Sequence, residues 1–252
     1  MKYLKVFDTT AEYNAFKLTE NFATPNVSLC EDAPTVMHYE PYVAPIVPQH
    51  EYVEIAGIKW ATMNIGASSV TDYGLYFQWG DTQGYTASQV GSNVGQKYFE
   101  WIDYKYGDGT NVPQMAKYNS TDKKTVLEVS DDAVTAAWGG SWRMPTTEEF
   151  VILGNSVNST WTTDYQGSGI SGFVLSDKND NSKVLFLPAG GRCEDTHITN
   201  VGSDCYYWSN SLYTSDSQKA YYANLYGGGL YWKSYYGGLR KKGFSIRGVL
   251  DE

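Results

Sequence analysis

Histidine and cysteine are scarce in this chain, with three of each in 252 residues. His38 and His50 fall in the first fifty residues and His197 in a polar stretch, so their spacing builds neither a histidine-based triad nor a metal cluster. Cys30, Cys193 and Cys205 are an odd, widely spaced set, which argues against a disulfide framework and leaves free thiols as the default. Cys193 and Cys205 could still pair in an oxidising compartment if their geometry allowed it. Long apolar runs are also missing. No stretch approaches the roughly 18 consecutive apolar residues of a membrane span, and Asp8, Glu12 and Asn14 interrupt the N-terminal MKYLKVFDTTAEYNAF within the length that a signal-peptide core needs. A chain without its own signal peptide and without membrane insertion is expected. It would be cytoplasmic unless another route carries it to a surface. There is no Lys/Arg block either, and 28 acidic residues against 19 basic ones leave a net charge of -9. A phosphate-tracking surface is therefore not expected, and nucleic acid is excluded as a direct partner.

What the chain has in quantity is tyrosine, tryptophan and glycine, 22, 8 and 25 residues respectively. That balance is rich in contact surface and poor in catalytic groups. The first fifty residues differ from the rest. Tyr3 to Phe7 reads as a strand, Thr9 and Glu12 form a capping box for a short helix, and Asn26 to Cys30 with Thr35 to Tyr39 gives a hairpin signal. Pro41, Pro45 and Pro48 then make a stiff, extended connector. Residues 1–50 are read as an attachment or oligomerisation segment and 51–252 as the main domain.

In that domain two helices are predicted. One covers Ser130 to Ala137, and the other begins at Thr147, where Thr146 and Glu149 form a second capping box after Pro145. Strands are predicted at Tyr52 to Ile58, Gly172 to Leu175, Lys183 to Leu187, Tyr206 to Tyr213, Ala220 to Tyr226 and Phe244 to Leu250. Residues 80–125 show no firm period and read as a long excursion. The pairs Asp131–Asp132 and Glu148–Glu149 suit the positive end of a helix better than acid–base catalysis. Gly227 to Gly229 lacks the Lys and Ser/Thr of a phosphate-cradling loop. Acidic loops such as 103–108 could hold a structural Ca²⁺ but lack the regular oxygen spacing of a known loop, and no cofactor is expected.

Nine of the tyrosines fall between Ser203 and Gly238, where an even spread would give about three. Side chains alternate faces along a strand. Read strand by strand, Trp208 and Leu212 form one face, with Tyr207, Ser209, Ser211 and Tyr213 on the other. Likewise Tyr221, Ala223 and Leu225 oppose Tyr222, Asn224 and Tyr226. The second face of each strand, with Tyr231, Trp232, Ser234, Tyr235 and Tyr236 in the following loop, is the predicted ligand-binding surface. Tyrosine supplies large amphipathic contact area for few rotatable bonds, and Ser, Asn and Gly supply adaptable hydrogen bonding.

Six segments, taken in order, resemble a known family: KWATMNIGAS (59–68), DYGLYFQWGD (72–81), WGGSWRMPTTEEF (138–150), VLFLPAGGR (184–192), YYWSNS (206–211) and GFSIRGV (243–249). They look like the Fibrobacter major paralogous domain, which is related to the C-type lectin fold as elaborated in formylglycine-generating enzymes. The resemblance spans roughly residues 52 to 250. It implies an α+β, C-type lectin body with two helices and a twisted antiparallel sheet whose C-terminal strands and loops build the ligand face. It does not carry over oxidase activity, because Cys193 and Cys205 are farther apart than the enzymes' cysteine pair and lack its Arg/Tyr-rich surroundings. Calcium-dependent sugar binding is not carried over either, since Trp208, Ser209 and Asn210 stand where a Trp-Asn-Asp triplet would be sought.

A narrower resemblance is to the variable proteins of diversity-generating retroelements, in which adenine mutagenesis turns Asn codons into Tyr, Ser, Asp, Gly or Thr. The residues of the predicted face belong to that set. Residues 1–50, with YLKVFDT and PNVSLCED, are similar to attachment regions of phage-associated proteins. The resulting expectation is a non-enzymatic display protein that binds a cell-surface protein or glycan, with attachment to a virion or a homo-oligomer through residues 1–50. An invariant bacterial adhesin or pilus-tip component of the same fold is the first alternative, and a formylglycine-type oxidase a remote one.

Overall fold

Ala56 and Gly57 both take positive φ, 53° and 79°, and so build the tight turn that right-twisted hairpins favour. The run expected as a single strand from Tyr52 to Ile58 is therefore a hairpin, β1 (Tyr52–Ile55) and β2 (Ile58–Asn64). A computed structural model describes residues 50–111, 113–226 and 237–251. The chain divides into two units, Met1–Val47 and Pro48–Glu252, and all described residues belong to the second. The strand, helix and hairpin expected within residues 1–50, and the connector's prolines, lie outside the described residues.

The described part is mainly β-structure in small antiparallel sheets with two short α-helices. In chain order after β2 come α1 (Ala133–Trp138), β3 (Trp142–Arg143), α2 (Thr147–Ser156), β4 (Val157–Thr162), β5 (Gly172–Asp177) and β6 (Val184–Pro188). These are followed by β7 (Arg192–Glu194), β8 (His197–Thr199), β9 (Asp204–Leu212), β10 (Lys219–Tyr226), β11 (Gly237–Leu239) and β12 (Arg247–Leu250). They form sheets of order β1-β2-β12-β3, β11-β10-β9 and β4-β5-β6, together with the pair β7-β8. Among the described residues no helix is long and apolar enough to cross a membrane.

The second helix starts where expected, at Thr147, whereas the first begins at Ala133 and not at Ser130, because Val129–Asp131 forms a separate 3₁₀ turn before it. Asp132 caps α1, its Oδ1 accepting from the backbone N–H of Val134 and Thr135 at 2.9 Å each. Thr146 and Glu149 close the capping box of α2, and Arg143 grips the same Glu149 carboxylate at 2.7 and 2.8 Å. Asp131, expected to complement a helix N-terminus, points elsewhere. Its carboxylate receives Tyr118 Oη at 2.5 Å, Lys105 Nζ at 3.2 Å and Lys117, which ties the long excursion to the body. Among its described residues that excursion holds only short 3₁₀ turns, such as Ala87–Gln89 and Trp101–Asp103, and isolated bridges.

The segments that carried the family resemblance converge on one buried arginine. Arg247 donates to Asn64 Oδ1 at 2.9 Å, to the Ala61 carbonyl at 2.9 Å and to the Phe186 carbonyl at 3.0 Å. Asn64 in turn donates to the Tyr73 carbonyl at 2.9 Å and to Tyr207 Oη at 3.3 Å, and Tyr207 donates to the Pro188 carbonyl at 3.1 Å. Residues from five of the six segments thus satisfy one another's polar groups in the interior. The sixth, WGGSW, turns at Gly139 and Gly140, both at positive φ, and sets Trp138 edge-on to Trp142 at 5.1 Å. His50 stacks on Trp138 at 4.0 Å, and burial holds its pKa below the usual histidine value.

β9 is the wall between the two larger hydrophobic clusters. Tyr206, Trp208 and Leu212 pack with Phe77, Trp79, Tyr104, Tyr118 and Phe244 in the first. Cys205 and Tyr207 pack with Trp60, Phe150, Leu175, Leu187 and Leu225 in the second. Its free edge is closed by residues 125–127, which exchange backbone hydrogen bonds with Asn210 and Leu212 at 2.9 and 2.8 Å.

Candidate functional site

The expected open face of β9 is not open. Tyr207 is fully buried in the second cluster, because its own pleat side faces Trp60 and Leu187 while the opposite side of the same strand faces the first cluster. Ser209 is also fully buried, with its hydroxyl donating to the Tyr221 carbonyl at 2.9 Å and lying 3.1 Å from Thr147 Oγ1. Ser211 is half-buried and accepts from the Thr147 N–H at 3.2 Å, satisfying a free donor in the first turn of α2. These three residues are scaffold, and the reading of them as ligand contacts is corrected accordingly.

The pairing of β9 with β10 corrects the faces further. Tyr222 lies opposite Trp208, Asn224 opposite Tyr206 and Tyr226 opposite Asp204, with a register shift between Ala220 and Tyr222. Directly opposed residues share a side of a sheet. Tyr222, Asn224 and Tyr226 therefore share their side with Tyr206 and Trp208, whereas Tyr207 lies opposite Ala223 on the far side. The two sets expected to make one surface are on opposite sides of the sheet.

A tyrosine surface remains. Tyr222, Asn224 and Tyr226 are each half-buried and share one side of the sheet; Tyr213 and Tyr221 are half-buried as well but lie on the opposite side, with Gly237. Tyr213 meets Tyr221 edge-on at 5.2 Å, and Tyr222 lies nearly parallel to Tyr206 at 6.0 Å while leaning on Trp208 and Phe244. Tyr206 and Arg192 were missed in the sequence. Arg192 Nη1 donates to Tyr206 Oη at 2.5 Å, and its guanidinium lies 5.0 Å from the centre of that ring. Burial raises the pKa of Tyr206 and of Tyr222, and the nearby Arg192 charge pulls each the other way. The signal that could have found Tyr206 is the strand register, which no single strand's pattern contains. Tyr231, Trp232, Ser234, Tyr235 and Tyr236 lie outside the described residues.

The charges beside this surface are matched. Arg192 and Lys242 both pair with Glu194, at 3.2 and 2.7 Å, while Lys241 pairs with Glu100 at 2.5 Å and Asp195 at 3.4 Å. The thiols lie elsewhere. Cys193 and Cys205 are free and buried in separate clusters, and burial pushes both pKa values far up, which disfavours thiolate chemistry. Among the described residues no group of three or more His, Cys, Asp and Glu side chains is placed to hold a metal ion. In comparison with known proteins, no family model matches the chain, nor does any curated protein or solved structure.

Proposed function

We propose that residues 51–252 form a display domain of the C-type lectin type, in the formylglycine-generating-enzyme-like elaboration, which binds a cell-surface ligand without catalysing a reaction. The observation that carries this reading is the row of half-exposed tyrosines and Asn224 on β10, backed by a β9 strand fixed between two hydrophobic clusters. Such a surface offers anchors with few rotatable bonds on a rigid base. Two short helices with small antiparallel sheets, and the convergence of the family-like segments on Arg247, support the fold assignment. The buried thiols weigh against an oxidase. Diversification by a retroelement and attachment to a virion through residues 1–50 complete the proposal, which rests there on sequence resemblance.

The test is to read the DNA around the gene and to compare the same locus in sibling isolates. A near-repeat of codons 205–247 differing only at adenines, beside a reverse transcriptase, is expected. Variation should fall on Tyr222, Asn224 and Tyr226 and spare Tyr207 and Trp208. An isolated, invariant gene in a pilus operon would replace diversification with the adhesin reading. Variation spread evenly over core and surface would remove the display surface itself.

A further inference from the structure

The sheet β4-β5-β6 has one closed edge and one open edge. On the β6 side the Phe186 and Pro188 carbonyls accept from Arg247 and Tyr207, and the strand ends in proline. On the β4 side the ladder to β5 runs without a break from Val157 to Thr162. The Lys178 N–H donates to the Ser156 carbonyl at 2.9 Å, and the bonded positions alternate along an antiparallel pair. Val157, Ser159 and Trp161 therefore turn their backbone N–H and C=O groups away from β5, where no backbone partner meets them among the described residues. Natural sheet edges are guarded by charge, proline, a bulge or shortness. The edge VNSTWT is six residues long and has no charge, proline or bulge. The other described edges are guarded. β9 is closed by residues 125–127, β1 is four residues long and carries Glu54, and β3, β7, β8 and β11 are two or three residues long.

We infer that β4 pairs with β4 of a second copy of this chain, antiparallel about a two-fold axis at Ser159, and joins the two sheets into one. In that register the strand complements itself. Val157 stands against Trp161 of the second copy, Ser159 against Ser159 and Trp161 against Val157, so every free position is used, with about six backbone hydrogen bonds at two per bonded pair. The residue on the axis, where two identical side chains must face each other, is a small one. Val157 and Trp161 lie on the core side of the sheet, in line with Leu175 and Phe173 of β5. Trp161 is half-buried there, edge-on to Phe173 at 5.1 Å, and pairing extends this apolar layer across the axis. On the outer side exposed Asn158 meets exposed Thr160 of the second copy, and no like charges are opposed. A foreign strand would have to match this spacing by chance, whereas a second copy matches it by symmetry. The pairing does not depend on what β10 binds. On the display reading it makes the molecule bivalent.

The experiment is sedimentation velocity on the full chain from about 1 to about 200 µM, the range in which a small edge interface associates. A dimer whose share grows with concentration is expected, and hydrogen exchange at the amides of Val157, Ser159 and Trp161 should slow in step with it. Ser159→Pro removes an outward N–H and leaves the β5 ladder intact, and it should weaken the dimer at least about tenfold. Asn158→Lys combined with Thr160→Lys, both at exposed positions, sets like charges against each other across the axis. This double variant should also dissociate, with partial recovery at about 500 mM NaCl, and it carries the test if the proline variant does not fold. Mixed with the chain carrying Asn158→Glu and Thr160→Glu, it should form a mixed dimer. A chain that stays monomeric over the whole range would overturn the inference. A dimer indifferent to both the proline and the lysine variants would overturn it as well, since its contact would lie on another part of the chain.

Discussion

At the scale of single residues, the same side-chain type serves opposite ends. Tyr207 has its ring wholly within the second cluster and its hydroxyl between Asn64 and Pro188, whereas Tyr213 keeps part of its ring in solvent beside Tyr221. Tyr207→Ala should cost about 3–5 kcal/mol, as aromatic truncation in a packed core does. Tyr213→Ala should cost about 1 kcal/mol, the value of one ring pair. Urea unfolding of the two variants checks the contrast, and similar losses would contradict the burial described. Tyr222→Ala should lower stability as well, because the ring leans on Trp208 and Phe244. Composition flagged the tyrosine excess correctly but could not sort its members, since burial depends on what packs against a strand and not on the strand's own residues.

At the scale of elements, locally encoded features were legible and non-local ones were not. The Thr146–Glu149 box fixed the start of α2 because its hydrogen bonds span three residues. The β1–β2 turn went unread because alanine at Ala56 is not a turn-forming residue, and its positive φ is imposed by the hairpin. The alternating pattern of β10 gave Ala223 and Leu225 correctly as core but set Tyr221 with them, which is only half-buried, and the side the strand shares with β9 follows from a pairing that includes a register shift. The charged knot at Asp131 was equally hidden, since Lys105, Lys117 and Tyr118 reach it across 13 to 26 residues.

That knot has a pH signature. Burial alone would raise the Asp131 pKa, but hydrogen bonds from Lys117, Tyr106, Tyr118 and Lys105 outweigh it and hold the carboxyl well below its ordinary value of 3.8. A folded pKa below the unfolded one stabilises the fold at pH above the ordinary value, and that stability is lost as pH falls below it. Melting temperature should therefore decline as pH drops below about 4. In Asp131→Asn, which should be destabilised by about 3 kcal/mol at neutral pH, this part of the decline should be missing. A variant with the same acid profile as the parent would show that the knot contributes little.

At the scale of the whole molecule, β9 makes the two larger clusters one cooperative unit. Neither can open without uncovering a strand that the other needs, so amides of β9 and β10 should exchange with solvent only at the rate of global unfolding. Hydrogen exchange read by mass spectrometry checks this, and faster exchange in β9 than in β2 would contradict it. The cysteines report on the same event. Buried in different clusters, Cys193 and Cys205 should resist a thiol reagent at pH 8, about the usual range of free-thiol titration, until denaturant is added. Attachment through the N-terminal unit is a proposal from sequence resemblance alone.

The double-sided packing of β9 also bears on recognition kinetics. On the proposed display reading, a ligand approaching β10 meets a backbone whose geometry is already set, so association there should require little ordering of the strand, and rates should vary more in dissociation than in association. Substitutions on that strand would then change how long a ligand stays rather than how quickly it arrives. A surface built this way can change its partner by replacing side chains alone, without rebuilding the chain beneath them.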